Sequence, residues 1–455
     1  MKIVIDCDDS RMLTGQVQKT EWWHHAMEQK TDKLCDVVGV GIGPFNLSVA
    51  ALLDPFRELD VRFFEREKEF QWHPGLLFPE ANIQVSFLKD LVTPANPTSA
   101  YSFLNFLFVT KRLYRFINAN FSRVTRMEFN QYLRWVCGQL PSLEFNRKVE
   151  AVSFDGRALV VDLGDELVRT KNVVLGSGLV PRIPECTRPY IGDTVVPATR
   201  YLKLNLQTAG RRIAVVGGGQ TGAEVINHLL SHDPPRELIW ISRRANFLPL
   251  DESPFTNELF TPNYSDYFYR LPPEERATLL GEQKLSSDGI AGNLLELIYR
   301  RLYELEFLNG HGRAYSLYIN HELVKMQPQG QGWALSLRDR VRDHHETVNA
   351  DLLILCTGSE YRMSPYLEPL SDRLIWEHGG YRTNDDFSIE WDGPKSLKIY
   401  AQNAARHCRG VADPNLSLMA WRSASIVNSL VGECVYNIDD NNSVFEWQPL
   451  AVAAS

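Results

Sequence analysis

The stretch DVVGVGIGPFNLS, at residues 36–48, joins a short apolar run to a helix expected over 44–53 through a glycine-rich turn. The next apolar run ends in Glu65, about 20 residues beyond the last glycine of the turn. In such a strand–helix–strand unit, the glycines let a dinucleotide pyrophosphate approach the helix N-terminus, and the acid binds a ribose hydroxyl. The pattern therefore predicts a dinucleotide site on a parallel sheet that uses Gly39, Gly41, Gly43 and Glu65.

A second stretch, IAVVGGGQTGAE at residues 213–224, repeats this arrangement. The strand expected over 238–241 is followed by Arg243 and Arg244, and no acid stands where the first unit has one. Arginines at that distance suit the 2′-phosphate of NADPH better than the free ribose of NADH, with a surface basic pair as the alternative. Two such units in one chain predict two dinucleotides and electron transfer between them.

The composition is typical of a globular protein. The chain has 455 residues, of which 44% are hydrophobic and 23% charged, and its formal net charge is −8. That length predicts two or three domains, and the negative balance offers no basic field to nucleic acid or anionic lipid. No apolar run is long enough for a membrane-spanning helix, and the acidic start makes a poor signal peptide.

Cysteine and histidine usage points away from metal and disulfide chemistry. The seven cysteines are scattered and never spaced as Cys-x-x-Cys, which argues against a redox-active disulfide or a zinc site. Reduced thiols predict a cytoplasmic protein without a metal centre. The sequence WWHH at 22–25 is interpreted as part of a helical arm or an oligomer contact, because no other ligand cluster is near in sequence.

Two further apolar runs end in small residues, VVLGSG at 173–178 and LLILCTG at 352–358, where the chain would pass between the two nucleotide units. They predict an α/β fold with two Rossmann-like dinucleotide-binding domains, the second inserted into the first, and a smaller, mostly helical substrate region. The expected divisions are an N-terminal arm (1–33), a first domain (34–185 and 350–440), a second domain (186–250 and 310–349), the helical region (251–309) and a C-terminal tail (441–455).

Taken together, these stretches resemble a known family, the microbial flavin-dependent N-hydroxylating monooxygenases. These are the ornithine, lysine and diamine hydroxylases of hydroxamate siderophore synthesis. The resemblance extends from about residue 36 to about residue 430. Besides the first glycine stretch, it is carried by WHPG at 72–75, SFLKDL at 86–91, VVGGGQ at 215–220, FTNE at 255–258 and NLSL at 415–418.

The resemblance implies that the first domain binds FAD and the second binds NADPH. Gln84 matches a glutamine over the reacting edge of the flavin, and Arg243 or Arg244 would meet the NADPH phosphate. The other residues that it assigns to the cofactors are Gly39, Gly41, Gly43, Pro44, Phe45, Asn46, Leu47, Glu65, Trp72, His73, Gly217, Gly219, Gln220, Thr221, Gly222, Thr357, Gly358, Asn415 and Leu416.

The resemblance also implies the reaction. NADPH reduces FAD, O2 adds to give a flavin hydroperoxide, and a terminal primary amine is N-hydroxylated, an early step of hydroxamate siderophore synthesis. Ser417 matches a serine that contacts the reacting amine, so Gln84 and Ser417 are the candidate catalytic residues. Lys89 and Asn257 match residues that hold the far end of the substrate, and the backbone near Ser286 would complete the contact to the amine.

The predicted substrate is an aliphatic diamine, cadaverine or putrescine, because the segments around Lys89 and Asn257 are most similar to the diamine branch. The chain has Ser-Ser-Asp at 286–288 where the ornithine branch has Asn-Tyr-Ser, and lysine hydroxylases share its Ser-Asp-Gly feature. Like charges repel, so Lys89 would be unfavourable beside the second ammonium of a diamine. Either Lys89 pairs with Asp90 or another acid, or the substrate carries a carboxylate. A surface lysine beside Asp90 is the other interpretation of Lys89. L-lysine, L-ornithine and histamine stay open as substrates.

Three other classes share parts of this pattern. A pyridine-nucleotide disulfide reductase needs the Cys-x-x-Cys that the sequence lacks. A Baeyer–Villiger-type monooxygenase carries a hinge fingerprint with glycine and histidine that is not present around residues 190–202. A non-catalytic redox sensor that binds FAD and NADPH is the third. The expected partners are a small primary amine and O2, and the resemblance implies a homo-oligomer, a tetramer.

Overall fold

A computed structural model of the chain describes residues 34–232, 234–308, 313–439 and 443–447. The predicted N-terminal arm, with its WWHH sequence, lies outside the described residues. The strands are β1 (Cys35–Val40), β2 (Val61–Glu65), β3 (Leu143–Phe145), β4 (Ala151–Phe154), β5 (Leu159–Asp162), β6 (Leu167–Leu175), β7 (Val180–Pro181), β8 (Val195–Pro197), β9 (Arg212–Val216), β10 (Glu237–Ile241), β11 (Tyr315–Tyr318), β12 (His321–Gln329), β13 (Gly332–Asp339), β14 (His345–Ala350), β15 (Leu352–Leu355), β16 (Ser359–Glu360), β17 (Trp376–Glu377), β18 (Gly380–Tyr381) and β19 (Lys398–Ala401).

The described α-helices are α1 (Pro44–Leu53), α2 (Phe103–Val109), α3 (Leu113–Ala119), α4 (Arg126–Cys137), α5 (Gln220–His232), α6 (Pro262–Arg270), α7 (Pro273–Glu282), α8 (Leu285–Asp288), α9 (Gly292–Tyr303), α10 (Arg406–Arg409) and α11 (Met419–Val431). Short 3₁₀ helices cover Glu185–Tyr190, Ala198–Lys203, Thr256–Phe260, Pro365–Leu370 and Leu416–Leu418, and a π-helix covers Glu304–Leu308.

The first domain is built on a seven-stranded sheet with the order β3-β2-β1-β6-β5-β4, in which β19 also pairs with β6. The pairs β1–β2, β1–β6 and β6–β19 are parallel. The sheet is covered on both faces, as parallel sheets require, since Val37 and Val174 pack in one apolar cluster and Val38 and Val173 in another. Helix α1 follows β1 with the predicted bounds, and the C-terminal helix α11 packs against it.

The second domain has a five-stranded, all-parallel sheet with the order β11-β10-β9-β15-β8. An antiparallel sheet of β12, β13 and β14 packs beside it. The predicted boundary at residue 350 is corrected here, because β15 hydrogen-bonds to β9 and β8. The second domain therefore includes Leu352–Leu355, and the chain returns to the first domain only after that strand.

Two short strands carry the chain between the domains. It leaves the first domain through β7 and returns through β16, and these strands pair antiparallel with each other. Arg182 and Glu360 form a salt bridge across the pair, with Nε 3.2 Å from Oε2. The second domain is thus inserted into the first, as predicted, and its two ends lie side by side.

The region over 251–309 is mostly helical, as predicted, and α9 packs on α5 of the second domain. The C-terminal segment 443–447 lies against α6, where the Trp447 ring contacts those of Tyr264 and Tyr267 at centroid distances of 4.9 and 5.2 Å. This segment falls in the predicted C-terminal tail, yet it is part of the folded substrate region.

Across the part of the chain that the structure describes, no helix has both the length and the apolar character needed to cross a membrane. The six cysteines within that part are free thiols. Burial raises the pKa of Cys35 to about 11 and that of Cys137 to about 12, so both stay protonated at neutral pH. They are placed as packing residues rather than as redox partners.

Candidate active site

The first glycine turn is shaped to receive a pyrophosphate. Gly41 has φ +84°, and a Cβ there would lie 2.9 Å from the carbonyl oxygen of Gly176. A Cβ on Gly43 would have no atom of the described protein nearer than 3.9 Å, so that side of the turn is open. No described side chain caps α1, which leaves the N–H groups of its first turn available to an anion.

Glu65 lies at the end of β2, beside this turn. Its Oε2 accepts a hydrogen bond from the backbone N–H of Ile42 at 2.9 Å, and its Oε1 accepts one from the N–H of Glu67 at 3.1 Å. Each carboxylate oxygen keeps a further lone pair for a ribose hydroxyl. The position and the chemistry of Glu65 therefore suit the predicted ribose contact.

Asn46 and Leu47 support the turn from behind. Both are fully buried, and Asn46 Nδ2 donates to the carbonyl oxygens of Gly41, Val40 and Val174 at 2.8, 3.2 and 3.2 Å. The Asn46 side chain thus fixes the two strand ends that form the turn. The assignment of Asn46 and Leu47 to the cofactor stays a prediction, in which a ligand at the turn would meet their backbone.

A buried network extends from Asn46 to the C-terminal helix. Gln402 Nε2 donates to the carbonyl of Phe45 at 2.9 Å, and its Oε1 accepts from Arg422 Nε at 3.0 Å. Arg422 pairs with Asp413 at 2.5 Å, and its guanidinium stacks over the Phe45 ring at 4.5 Å. The first turn of α1 is therefore held in place by α11.

The second glycine turn has the same division between packed and open positions. Added Cβ atoms would lie 2.0 Å from the Cys356 carbonyl at Gly217 and 2.1 Å from the Gly217 carbonyl at Gly222. At Gly219 the nearest described atom would be 3.9 Å away, so this glycine faces open space. Gln220 links this turn to the start of α9, because its Oε1 accepts a hydrogen bond from the backbone N–H of Ala291 at 2.9 Å.

The two candidate phosphate arginines point in different directions. Arg244 Nη1 donates to the carbonyl of Asp288 at 2.7 Å, which ties the end of β10 to α8. Arg243 is largely exposed and forms only a loose pair with Glu322, at 3.7 Å. Of the two, Arg243 has the free guanidinium that a 2′-phosphate needs, and Arg244 connects the second domain to the substrate region.

An ion pair joins the two domains between the nucleotide turns. Arg126, the first residue of α4, makes two 2.8 Å hydrogen bonds to the carboxylate of Glu224 in α5. The side chains are 15% and 4% exposed. Glu224 also accepts from Gln220 Nε2 at 2.9 Å, so the pair reaches the second glycine turn.

The WHPG segment lies at the same domain boundary. A Cβ on Gly75 would come within 2.0 Å of the Thr199 carbonyl, and Gly75 O accepts from the N–H of Leu202. Trp72 and His73 contact each other with ring centroids 5.2 Å apart. Thr357 and Gly358 lie at the return crossing, where both hydrogen-bond to the backbone of Arg182. Their polar groups hold the connection between the domains.

Gln84 offers an unpartnered amide. Its Nε2 is buried and has no hydrogen-bond partner among the described residues. A buried N–H donor without an acceptor is costly, and a flavin carbonyl or ring nitrogen would satisfy it. The donor chemistry of Gln84 therefore fits a bound flavin.

Lys89 and Ser417 line one cavity of about 420 Å³. Ser417 lies on the 3₁₀ turn before α11. Its hydroxyl and its backbone N–H both donate to Asn415 Oδ1, at 2.8 and 2.9 Å. The remaining wall residues are Pro94, Phe260, Thr261, Pro262, Leu418, Trp421, Asn437, Ile438 and Asp439. The cavity thus combines an apolar middle with a few polar groups, as small-molecule sites do.

Lys89 lies in this cavity without a salt-bridge partner in the described part of the chain. Burial lowers the pKa of its ammonium, and the nearby charge of Glu258 opposes that shift. Asp90 is not its partner, because the Asp90 carboxylate accepts four hydrogen bonds, from Thr93 (N–H and Oγ1) and from the N–H groups of Val92 and Phe103. The sequence alternative of a surface Lys89–Asp90 pair is therefore wrong.

Asn257 and Ser286 are not on the walls of this cavity. Asn257 is exposed on the 3₁₀ turn Thr256–Phe260, next to Glu258. Ser286 is buried on α8 and donates to the carbonyl of Gln283 at 2.7 Å. The structure brings Lys89 and Ser417 together in one cavity and leaves these two predicted residues off its walls.

The sequence analysis missed two charged residues buried in helices, Glu224 and Arg422, and the partly buried Arg126 that pairs with Glu224. The available signal was one charge within an apolar stretch, as in GAEVI at 222–226 and AWRSA at 420–424. Such residues are almost never buried unless they are paired. The cavity residues Asn437–Asp439 carried no comparable signal.

A family model described as L-lysine 6-monooxygenase/L-ornithine 5-monooxygenase matches residues 33–362. The chain belongs to this family. The predicted resemblance, the α/β fold with two dinucleotide-binding domains and the class of amine N-monooxygenase are thereby confirmed.

Relatives in this family act on different amines. L-lysine N6-monooxygenase of Escherichia coli is 38% identical over 423 residues, which is 91% of this chain and 99% of that protein. The structure of a cadaverine monooxygenase of desferrioxamine biosynthesis from Erwinia amylovora, bound to FAD, has a TM-score of 0.85 and 31% identity, and covers 92% of this chain and 99% of its own.

A third relative carries both cofactors. The structure of an ornithine N-hydroxylase from Kutzneria, with reduced FAD, NADP+ and L-ornithine, has a TM-score of 0.82 and 29% identity. It covers 88% of this chain and 99% of its own. The prediction of FAD and NADPH as cofactors is confirmed for the family. The names of the three relatives give three different substrates, lysine, cadaverine and ornithine, so they do not select one.

Proposed function

We propose that this chain uses FAD, NADPH and O2 to N-hydroxylate a terminal primary amine of a short aliphatic substrate, an early step of hydroxamate siderophore biosynthesis. The observation that carries the proposal is the single cavity lined by both Lys89 and Ser417. It offers a neutral hydrogen-bonding group for the reacting amine and a charged group for the far end of the substrate.

The cofactors, when bound, would supply the electrons that activate O2, and O2 would supply the oxygen atom that the amine receives. The chain contributes binding and orientation. Gly43 and the N-terminus of α1 would hold the FAD pyrophosphate, Glu65 its ribose and the Gln84 amide its flavin ring. Gly219 and Arg243 would hold the pyrophosphate and the 2′-phosphate of NADPH.

The reacting amine must be neutral to act as a nucleophile. An alkylammonium has a pKa of about 10.4, and the apolar walls Phe260, Leu418 and Trp421 lower it by disfavouring the charged form. Because Ser417 donates its own proton to Asn415, its oxygen is left to accept an N–H of the amine. That hydrogen bond orients the nitrogen without a negative charge that would retain its proton.

Two substrates are carried forward. The sequence resemblance favours a diamine, cadaverine or putrescine. L-lysine is the second candidate, and the unpaired ammonium of Lys89 favours it, because a substrate carboxylate would neutralise that charge.

The test measures NADPH oxidation and hydroxylamine product of FAD-loaded protein with cadaverine, putrescine, L-lysine, L-ornithine and histamine. We expect product coupled to NADPH consumption with a diamine or L-lysine. Hydrogen peroxide without hydroxylamine for all five amines would contradict the proposed function and favour a redox-sensor role.

A further inference from the structure

The substrate cavity holds two opposite charges that are not paired with each other. Of the described residues on its walls, only Lys89 and Asp439 are ionisable. The backbone N–H of Asp439 donates to Asn437 Oδ1 at 3.2 Å, while its carboxylate has no hydrogen-bond or salt-bridge partner among the residues described. An acid that faces a ligand cavity unpaired is available to a cationic group.

The segment that carries Asp439 is fixed on the body of the protein. Asn428 of α11 receives the N–H groups of Val435 and Tyr436 on its Oδ1 at 3.0 and 2.9 Å, and donates to the Tyr436 carbonyl at 2.8 Å. The Tyr436 hydroxyl donates to the carbonyl of Leu52 at 2.7 Å, in a buried position. The backbone therefore reaches Asn437–Asp439 from a defined anchor three residues earlier.

The chemistry of the substrate requires such an acid. A diamine and an amino acid of lysine type both carry a second ammonium that does not react and stays charged. Asp90 is occupied by its four hydrogen bonds, and Glu258 Oε2 accepts from Ser443 Oγ at 2.8 Å while its charge acts on Lys89 from beyond salt-bridge distance. Asp439 is the acid on the cavity wall that these contacts leave free.

We propose that Asp439 binds the second, unreactive ammonium group of the substrate, and that the C-terminal segment Asn437–Asp439 is part of the amine-binding site. The inference rests on the proposed function. It holds for a diamine and for L-lysine alike, and it gives the remote ammonium a partner that offsets its repulsion from Lys89.

The experiment compares Asp439→Asn with the wild-type holoenzyme on cadaverine, L-lysine and n-pentylamine, which lacks the second ammonium. For whichever of the first two is hydroxylated, we expect KM to rise about three- to tenfold with kcat nearly unchanged, because a partly exposed charge contact is lost. The KM for n-pentylamine stays as in the wild type. Asp439→Glu restores part of the affinity.

Glu433→Gln is the matched control, since Glu433 is an exposed acid of the same segment that is not on the cavity wall. It should leave every KM unchanged. Equal KM values for Asp439→Asn and wild type, or an equal rise with n-pentylamine, would overturn the inference while the proposed function stands. Absence of hydroxylamine from wild type with these three amines and with putrescine, L-ornithine and histamine would instead overturn the proposed function, and the inference with it.

Discussion

At the scale of single residues, the open faces of the glycine turns separate cofactor binding from folding. Gly43→Ala places its methyl group where the described protein leaves space. We therefore expect the free energy of unfolding of the apoprotein to change by less than about 0.5 kcal/mol. The same methyl group would meet the FAD pyrophosphate, and the Kd for FAD should rise at least about tenfold. Flavin fluorescence titration and denaturant unfolding measure the two effects.

Gly41→Ala is the paired variant, because its φ of +84° and the close Gly176 carbonyl strain the protein itself. It should destabilise the apoprotein by about 1–2 kcal/mol. Wild-type FAD affinity in Gly43→Ala would show that the pyrophosphate binds elsewhere.

Lys89 gives a pH-dependent prediction. Burial lowers its pKa in the folded protein below the unfolded value, so the charged lysine disfavours folding at neutral pH. That penalty is complete below the lowered pKa and disappears as pH rises through it towards 10.5. Lys89→Met should therefore raise Tm at pH 7 by about 1–3 °C, with a smaller gain near pH 10, while amine-dependent turnover falls.

The control for this prediction is Lys148→Met, which removes an exposed lysine paired with Glu150. Its Tm should stay close to that of the wild type at both pH values. A lower Tm for Lys89→Met at pH 7 would show that Lys89 stabilises the fold and would remove the argument that it is kept for the ligand.

Residue types alone predicted the chemistry of the site better than its geometry. Glu65 keeps carboxylate lone pairs free, and the Gln84 amide has no partner among the described residues. Lys89 and Ser417 line one cavity, and the assignment of all four residues to the site stays a prediction. Asn46 was assigned to the cofactor, and the structure adds that its side chain holds two strand ends together. A short motif cannot distinguish these roles, since a polar side chain beside a glycine turn can face either the ligand or the carbonyl groups behind it.

At the scale of elements, the Arg126–Glu224 pair connects α4 of the first domain to α5 of the second. Because Glu224 is almost fully buried, Arg126→Met leaves an uncompensated charge, and we expect a loss of about 3–5 kcal/mol in unfolding free energy. The KM for NADPH should also rise, since Glu224 holds Gln220 at the glycine turn. Urea unfolding and steady-state kinetics test this.

Arg123→Met provides a matched comparison, because Arg123 also bonds a carboxylate with both Nη atoms, that of Glu252, but both side chains are 34% exposed. Its removal should cost only about 0–1 kcal/mol and leave the KM for NADPH unchanged. Similar losses for the two variants would mean that the interdomain pair has no special role.

Elements with a clear pattern of apolar residues were predictable from the sequence, and the other elements were not. Helix α1 has the expected bounds, and β10 begins one residue before its expected start. The boundary between the domains was placed too early because β15 and the strands of the first domain are equally apolar, so only hydrogen-bond pairing assigns it. The segment after α11 has no apolar period, and its contribution to the cavity depends on contacts distant in sequence.

At the scale of the whole molecule, residues of the first domain and of the helical region together line the cavity of Lys89 and Ser417, and the second glycine turn approaches the helical region at Asp288. Two adjacent strands and one buried ion pair connect the domains, and Arg244 connects the second domain to α8. The geometry of catalysis therefore depends on the docking of domains, which sequence motifs within each domain do not encode.

The insertion also sets the order in which the protein is completed during synthesis. The five strands of the second sheet have all been made once residue 355 leaves the ribosome, whereas the first sheet still lacks β19 and the covering helix α11. Domains fold as units as soon as their chain is available. The sheet whose strands begin first along the chain is consequently completed last, after the sheet inserted within it.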